Sequence, residues 1–277
     1  MLTPSTLAEL AFWDNASPHI FLALPQWGVR LTAMPDTRKH RGPRPDDVNI
    51  FSEAKRGDLQ RAMMDYSMLL SRGYAQKSLL KLVGDHFALT ERQRLAIMRS
   101  ACSDAQLACR RAKELDVSQL AGRQLEIDGY NLLITTESAL SGAPIFVGRD
   151  GCMRDLSGIH GSYRKVEETV PAIELIARHV LALGVTYARW LFDSPVSNSG
   201  RLKTLLGELI ARHGWPFEVE LHLNPDSVLI ASDKPVATSD SNILDECGHW
   251  VNLITHILCS EMDAGRLKIN LVDLSCA

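Results

Sequence analysis

No apolar run in this 277-residue chain approaches the ~20 residues needed to cross a bilayer. Its first residues carry no basic region ahead of an apolar stretch, so they do not read as a signal peptide. The six cysteines are scattered without a CxxC pair, which fits reduced thiols and a cytoplasmic location. Walker A, G-x-S-x-G and G-x-G-x-x-G motifs are all missing, so phosphate-loop, serine-hydrolase and dinucleotide-binding readings lose their usual support. Internal repeats and low-complexity tracts are absent too. What is present is the balance of a globular protein, with 45% hydrophobic and 23% charged residues. The net charge of −3 hides an asymmetry. Residues 36–124 hold 17 Lys and Arg against 11 Asp and Glu, whereas 125–277 hold 12 against 20. A basic segment joined to an acidic one fits a grip on a polyanion beside a cation-binding cleft, and it equally fits two solvated surfaces.

The residue pattern divides the chain into three parts. Residues 1–40 are broken by prolines and read as an irregular extension with one helix near 5–13. Residues 41–120 form the expected helical domain. There Leu59, Met63, Tyr66 and Leu70 recur at helical spacing, and Thr90-Glu-Arg-Gln93 has the form of a capping box. From 121 to 277 strand patterns alternate with helical ones, which predicts a three-layer α/β domain with a mainly parallel sheet. Expected elements are a β-rich stretch at 124–135, helices at 166–183 and 199–213, and strands at 187–192 and 217–223. Short extended pieces at 228–231 and 236–237, one helix at 241–260 and a last strand at 267–274 complete the pattern. Residues 46–114 are expected to be helical and to contribute no strand to the sheet.

Ligands of open α/β sheets bind at the carboxyl ends of the strands. Asp128, Asp193 and Asp240 each follow an apolar strand pattern, and Asp226 follows a fourth. A parallel sheet brings such ends to one edge. Carboxylates gathered there raise one another's pKa unless a cation neutralises them, and an all-oxygen set suits Mg²⁺ or Mn²⁺. Any one aspartate alone is more simply a helix cap.

Asp128-Gly-Tyr-Asn131 after an apolar strand resembles the first motif of NYN domains, a branch of the PIN-like nucleases. Leu191-Phe-Asp193 resembles their second acidic strand end, and Ala237-Thr-Ser-Asp240 resembles their last. The resemblance implies a metal at Asp128, Asp193 and Asp240, with Asn131 positioning it and Asp226 as a further acid. Thirteen residues separate Asp226 from Asp240, so the helix usual there in such nucleases is missing or replaced by a hairpin, with Asp233 as the substitute acid. The chain from about Arg41 also resembles the domain-of-unknown-function-434 family. That likeness rests on Arg72-Gly-Tyr74, Leu82-Val-Gly-Asp85, Thr90-Glu-Arg-Gln-Arg94, Gly148-Arg-Asp-Gly151 and Pro195-Val-Ser-Asn-Ser-Gly-Arg201. It supports the two-part layout and implies no activity.

Two loops are dense in glycine and polar residues. Residues 148–165 carry Arg149, Arg154, His160, Arg164 and Lys165, and 195–203 carry Ser199, Arg201 and Lys203. These groups suit phosphates and a stacked base, with Arg149, Arg154 and Arg201 expected to face one groove; the alternative is a pair of ordinary surface loops. Cys247, His249, His256 and Cys259 read as the buried face of one helix rather than zinc ligands. The acidic strand ends lack the D-x-D spacing of haloacid-dehalogenase or Toprim domains. The expectation is a metal-dependent ribonuclease of PIN/NYN type that binds RNA and needs Mg²⁺ or Mn²⁺. The alternatives are an RNA-binding protein without turnover and a small-nucleotide phosphohydrolase. No membrane partner is expected, and the oligomeric state, a homo-oligomer included, is left open.

Overall fold

The computed structural model describes residues 40–158 and 161–275. The expected extension, except residue 40, and His160 lie outside them. Helices come first: α1 (Asp47–Ile50), α2 (Glu53–Ser71), α3 (Gln76–His86), α4 (Glu91–Ser100) and α5 (Asp104–Lys113). Thr90 opens α4 as half of the expected capping box with Gln93, and Ser103 and Gln106 build a second box on α5. Then follow β1 (Glu114–Leu115), β2 (Gln124–Asp128), α6 (Gly129–Leu140), β3 (Pro144–Val147), β4 (Met153–Arg154) and α7 (Thr169–Ala182). The chain continues through β5 (Tyr187–Asp193), α8 (Ser199–His213), β6 (Phe217–His222), α9 (Pro225–Ile230) and β7 (Val236–Ala237). It ends with α10 (Ser241–Glu246), β8 (Trp250–Val251), α11 (Leu253–Asp263) and β9 (Asn270–Asp273). No helix among the described residues is long and apolar enough to cross a membrane.

The main sheet has six strands in the order β1-β8-β7-β2-β5-β6, and every pairing in it is parallel. Its centre is apolar on both faces, as a covered parallel sheet requires: Ile127, Trp190 and Phe192 are fully buried with Leu133, Ile176 and Leu206 from the flanking helices. A small second sheet, β4-β3-β9, is mixed. Phe146, Val272 and Leu274 from this part share a core with Leu59, Met63, Tyr66 and Ile97 of the helices. The helical segment therefore packs into the α/β part. It also supplies β1, whose pairing with β8 corrects the expectation that the main sheet receives no strand so early in the chain.

Other differences have local causes. The stretch 124–135 is a strand only to Asp128, after which α6 begins. Residues 132–139 are all buried, so α6 lacks the polar stripe that marks a surface helix and reads as β-rich. Residues 228–231 are not extended. Asn224 accepts the Ser227 N–H and Pro225 takes the first turn, which nucleates α9. The expected helix 241–260 is split by β8, where Trp250 and Val251 pair with β1 and β7 and the Trp250 Nε1 donates to the Arg110 carbonyl. Cys247 and His249 therefore do not share a helix with His256 and Cys259. The last strand joins the second sheet rather than the main one.

Candidate acidic cleft at the carboxyl edge of the sheet

Neighbouring strands deliver the acidic residues to one place. In the register of β2 and β5, Asp128 lies opposite Leu191, so Asp193 stands two residues further along. On the other side Ile127 lies opposite Ala237, which sets Thr238 level with Asp128. The Thr238 hydroxyl donates to Asp128 Oδ2 at 2.7 Å and accepts the Asp240 N–H at 3.0 Å. Asn131 Oδ1 accepts both the N–H and the hydroxyl of Ser239, at 2.9 and 2.8 Å. Gly129 is needed at the turn between them, since a Cβ there would sit 2.5 Å from the Phe192 ring and 2.7 Å from the Leu191 carbonyl. The Asp-Gly-Tyr-Asn segment is thus locked to the Thr-Ser-Asp segment across two strands.

Asp128, Asn131, Asp193, Asp226 and Asp240 line one cleft of about 460 Å³. Asp240 does cap α10, accepting from the N–H groups of Asn242 and Ile243. The cap explanation does not extend to Asp193, since Asn198 precedes α8, and the Asp128 carboxylate at the start of α6 takes the Thr238 hydroxyl from another strand. Burial pushes the Asp128 carboxyl up to about 7, the Thr238 hydrogen bond opposes it, and the charges of Asp240 and Asp226 add to it. Asp226 is raised by burial and by Asp240 and Asp193, and Asp193 by burial. Among the described residues none of these carboxylates is in an ion pair with an arginine or lysine. The Tyr130 hydroxyl, in the same cleft, is 5% exposed and has no partner among the described residues. Burial and the Asp193 charge raise its pKa, so it stays a donor.

An oxygen-only set of unpaired carboxylates fits a hard cation with its waters. Among the described residues no three Asp, Glu, His or Cys side chains are grouped tightly enough to hold one ion. The fit is accordingly to an ion taking one or two carboxylates directly, with outer-shell waters reaching the rest.

Arginines also line this cleft, most of them committed to partners. Arg154 is 6% exposed; it chelates Asp150 with two hydrogen bonds of 2.7 Å and donates Nε–H to the Ser239 carbonyl at 2.8 Å. Arg110, from α5, pairs with the same Asp150 and with Asp245. Arg99 is different: it donates to the carbonyls of Asp155 and Ser157, has no carboxylate partner among the described residues, and lines the cleft. Arg149 is tied to the Cys102 carbonyl and to Asp104. Arg164, Lys165 and Arg201 line a second cavity. Arg149, Arg154 and Arg201 therefore do not share the expected groove: one binds α5 and its approach, one braces the acidic loop, and one lies in the second cavity. Ser199 is buried and donates to the Ser194 carbonyl, and Lys203 is exposed on α8. Asp233 is exposed and pairs with Lys234, outside the cleft lining.

Sequence reasoning names Arg99 with Arg92 and Arg94 as helix arginines that could meet phosphates; Tyr130 and the Arg110–Asp150–Arg154 network were not singled out. Tyr130 lay inside the quoted motif; the network joins residues 40 positions apart, and no spacing announces it.

Residues 117–256 match the family described as Domain of unknown function (DUF5616), which covers the sheet and its edge. The chain belongs to the DUF5616 family. Ahead of the DUF5616 region, residues 58–113 match Protein of unknown function (DUF434), in agreement with the family resemblance of the helical motifs. The chain is 31% identical over 189 residues to "Uncharacterized protein MJ0935" of Methanocaldococcus jannaschii, across 67% of this chain and 88% of that protein. No solved structure matches. The DUF434–DUF5616 boundary falls between α5 and the 3₁₀ turn at Val117–Leu120, beside the strand through which the helices enter the main sheet.

Proposed function

We propose that this DUF5616 protein is a divalent-cation-dependent ribonuclease whose α/β part is of the PIN/NYN kind. The observation that carries the reading is the convergence of Asp128, Asp193, Asp226 and Asp240 on one cleft, with none of the four in an ion pair among the described residues. When bound, Mg²⁺ or Mn²⁺ supplies an activated water and stabilises charge on the phosphate. The chain's own residues do the rest. Thr238 orients the Asp128 carboxylate, and Asn131 with Arg154 fixes the loop that carries Asp240. Arg99 faces the cleft as the cation that meets a phosphodiester oxygen, and the Tyr130 hydroxyl is a ready donor. RNA, rather than DNA, rests on the NYN resemblance.

A second reading, an RNA-binding protein without turnover, is favoured by the lack of a three-donor grouping among the described residues. Incubation with single-stranded and structured RNAs in Mn²⁺ and in EDTA separates the two. Fragments that appear in Mn²⁺ and not in EDTA support the nuclease; retention of RNA with no fragment in either supports the binding protein.

A further inference from the structure

The two polar loops meet away from the acidic cleft. Ser162 and Ser197 form a parallel bridge; the Tyr163 N–H donates to the Ser197 carbonyl and the Ser197 N–H to the Gly161 carbonyl, both at 3.0 Å. Asn198 adopts a left-handed conformation, φ 71°, which asparagine tolerates, and its side-chain amide donates to the Tyr163 carbonyl at 2.9 Å. Tyr163 and Asn198 of this zipper line a cavity of about 370 Å³, the scale of a small-molecule site.

The cavity is furnished on two sides. Arg164, Lys165 and Arg201 line it, and none of them is in an ion pair among the described residues, in contrast to Arg110 and Arg154 of the acidic cleft. Leu205 is the partly exposed apolar residue of the lining, backed by the buried Leu202 and Tyr163. That backing is rigid: the Tyr163 hydroxyl donates to the buried Glu137 at 2.5 Å and lies 3.0 Å from the Thr169 hydroxyl, while the Arg41 guanidinium sits 5.2 Å from the ring centroid. Glu208 is the single acidic group of the lining. It accepts from a sugar hydroxyl and repels additional phosphate charge, so a nucleoside monophosphate suits the cavity better than a polyphosphate.

We infer that this cavity is a subsite for one nucleotide, its phosphate held by Arg164, Lys165 and Arg201 and its base laid against Leu205. The loop 194–198 joins Asp193, in the acidic cleft, to Ser199 at the start of α8, which carries Arg201. Resting on the ribonuclease reading, the subsite receives a nucleotide of the same strand that is cut at the acidic edge. It does not depend on cleavage for its test.

The test is calorimetric titration of the full chain with AMP and UMP in EDTA, with inorganic phosphate as the comparison. Saturable binding of one nucleotide, at least tenfold weaker in Arg201→Ala and in Thr204→Trp and unchanged in Asp128→Asn, is the expected result. Thr204 is exposed in the cavity lining, so the tryptophan plugs the space without entering the core. Three results overturn the proposal: no nucleotide binding, inorganic phosphate binding as tightly as AMP, or binding lost in Asp128→Asn but kept in both cavity variants. Each leaves the Mn²⁺-dependent cleavage of RNA to stand or fall separately.

Discussion

Asp128→Asn is expected to reduce Mn²⁺-dependent RNA cleavage by about 100-fold or more, on the scale of lost metal-site partners, while RNA binding is kept or tightened. Asparagine preserves the shape and can still accept from Thr238, but it removes the charge that a cation requires. The same substitution should stabilise the fold in EDTA at pH 8. The carboxyl is raised to about 7 in the folded chain from 3.8, so the folded state binds more protons between those values and wild-type stability falls as pH rises through that window. Asparagine has no such dependence. Its advantage in melting temperature is therefore largest above pH 7 and fades towards pH 4. Loss of activity together with loss of stability at pH 8 would mean that Asp128 is structural.

The second large effect is expected at Asp150, outside the list of sequence-derived candidates. Burial alone would raise its pKa, but the guanidinium groups of Arg154 and Arg110 hold it down at about 2. Asp150→Ala leaves Arg154, whose only carboxylate partner among the described residues is Asp150, as an uncompensated buried charge. Removal of one partner from a buried pair costs about 3–5 kcal/mol, which lowers the melting temperature by roughly 10 °C in a chain of this size. The cost should shrink at low pH. A depressed carboxyl contributes stability that is complete above the unfolded value of 3.8 and is lost as pH falls through about 2. Thermal melts of wild type and variant at pH 7 and pH 2.5 check both statements; a difference independent of pH would assign the effect to packing instead. Because Arg154 holds the Ser239 carbonyl and Arg110 comes from α5, a folded Asp150 variant should also lose activity, linking the helical segment to the cleft.

The carboxyl edge was legible because parallel strands end on one side whatever their lengths, so Asp128, Asp193 and Asp240 needed only correct strand ends. Alternating β and α patterns announced β2, β5, β6, α7 and α8 for the same reason: each carries its own periodicity. Val236–Ala237 reads as extended and is β7, but the two-residue strands β1 and β8 carry almost no periodicity, and their pairing is decided by partners far along the chain, as when Glu114 lies opposite Trp250. A helix buried on every side, such as α6, hides its type in the same way. Loop arginines were the least readable. Arg149, Arg154 and Arg201 look equivalent as sequence, and only burial beside Asp150, reach to Asp104 or exposure in the second cavity separates a brace from a ligand group.

Titration of Mn²⁺ into metal-free wild type and Asp128→Asn, followed by calorimetry, addresses the acidic cleft most directly. Saturable binding to the wild type, weakened at least tenfold in the variant while both melt as folded proteins, is the predicted result. Equal binding to both, or none to the wild type at millimolar Mn²⁺, would contradict it and leave the cleft as a buried acidic cluster without a cation.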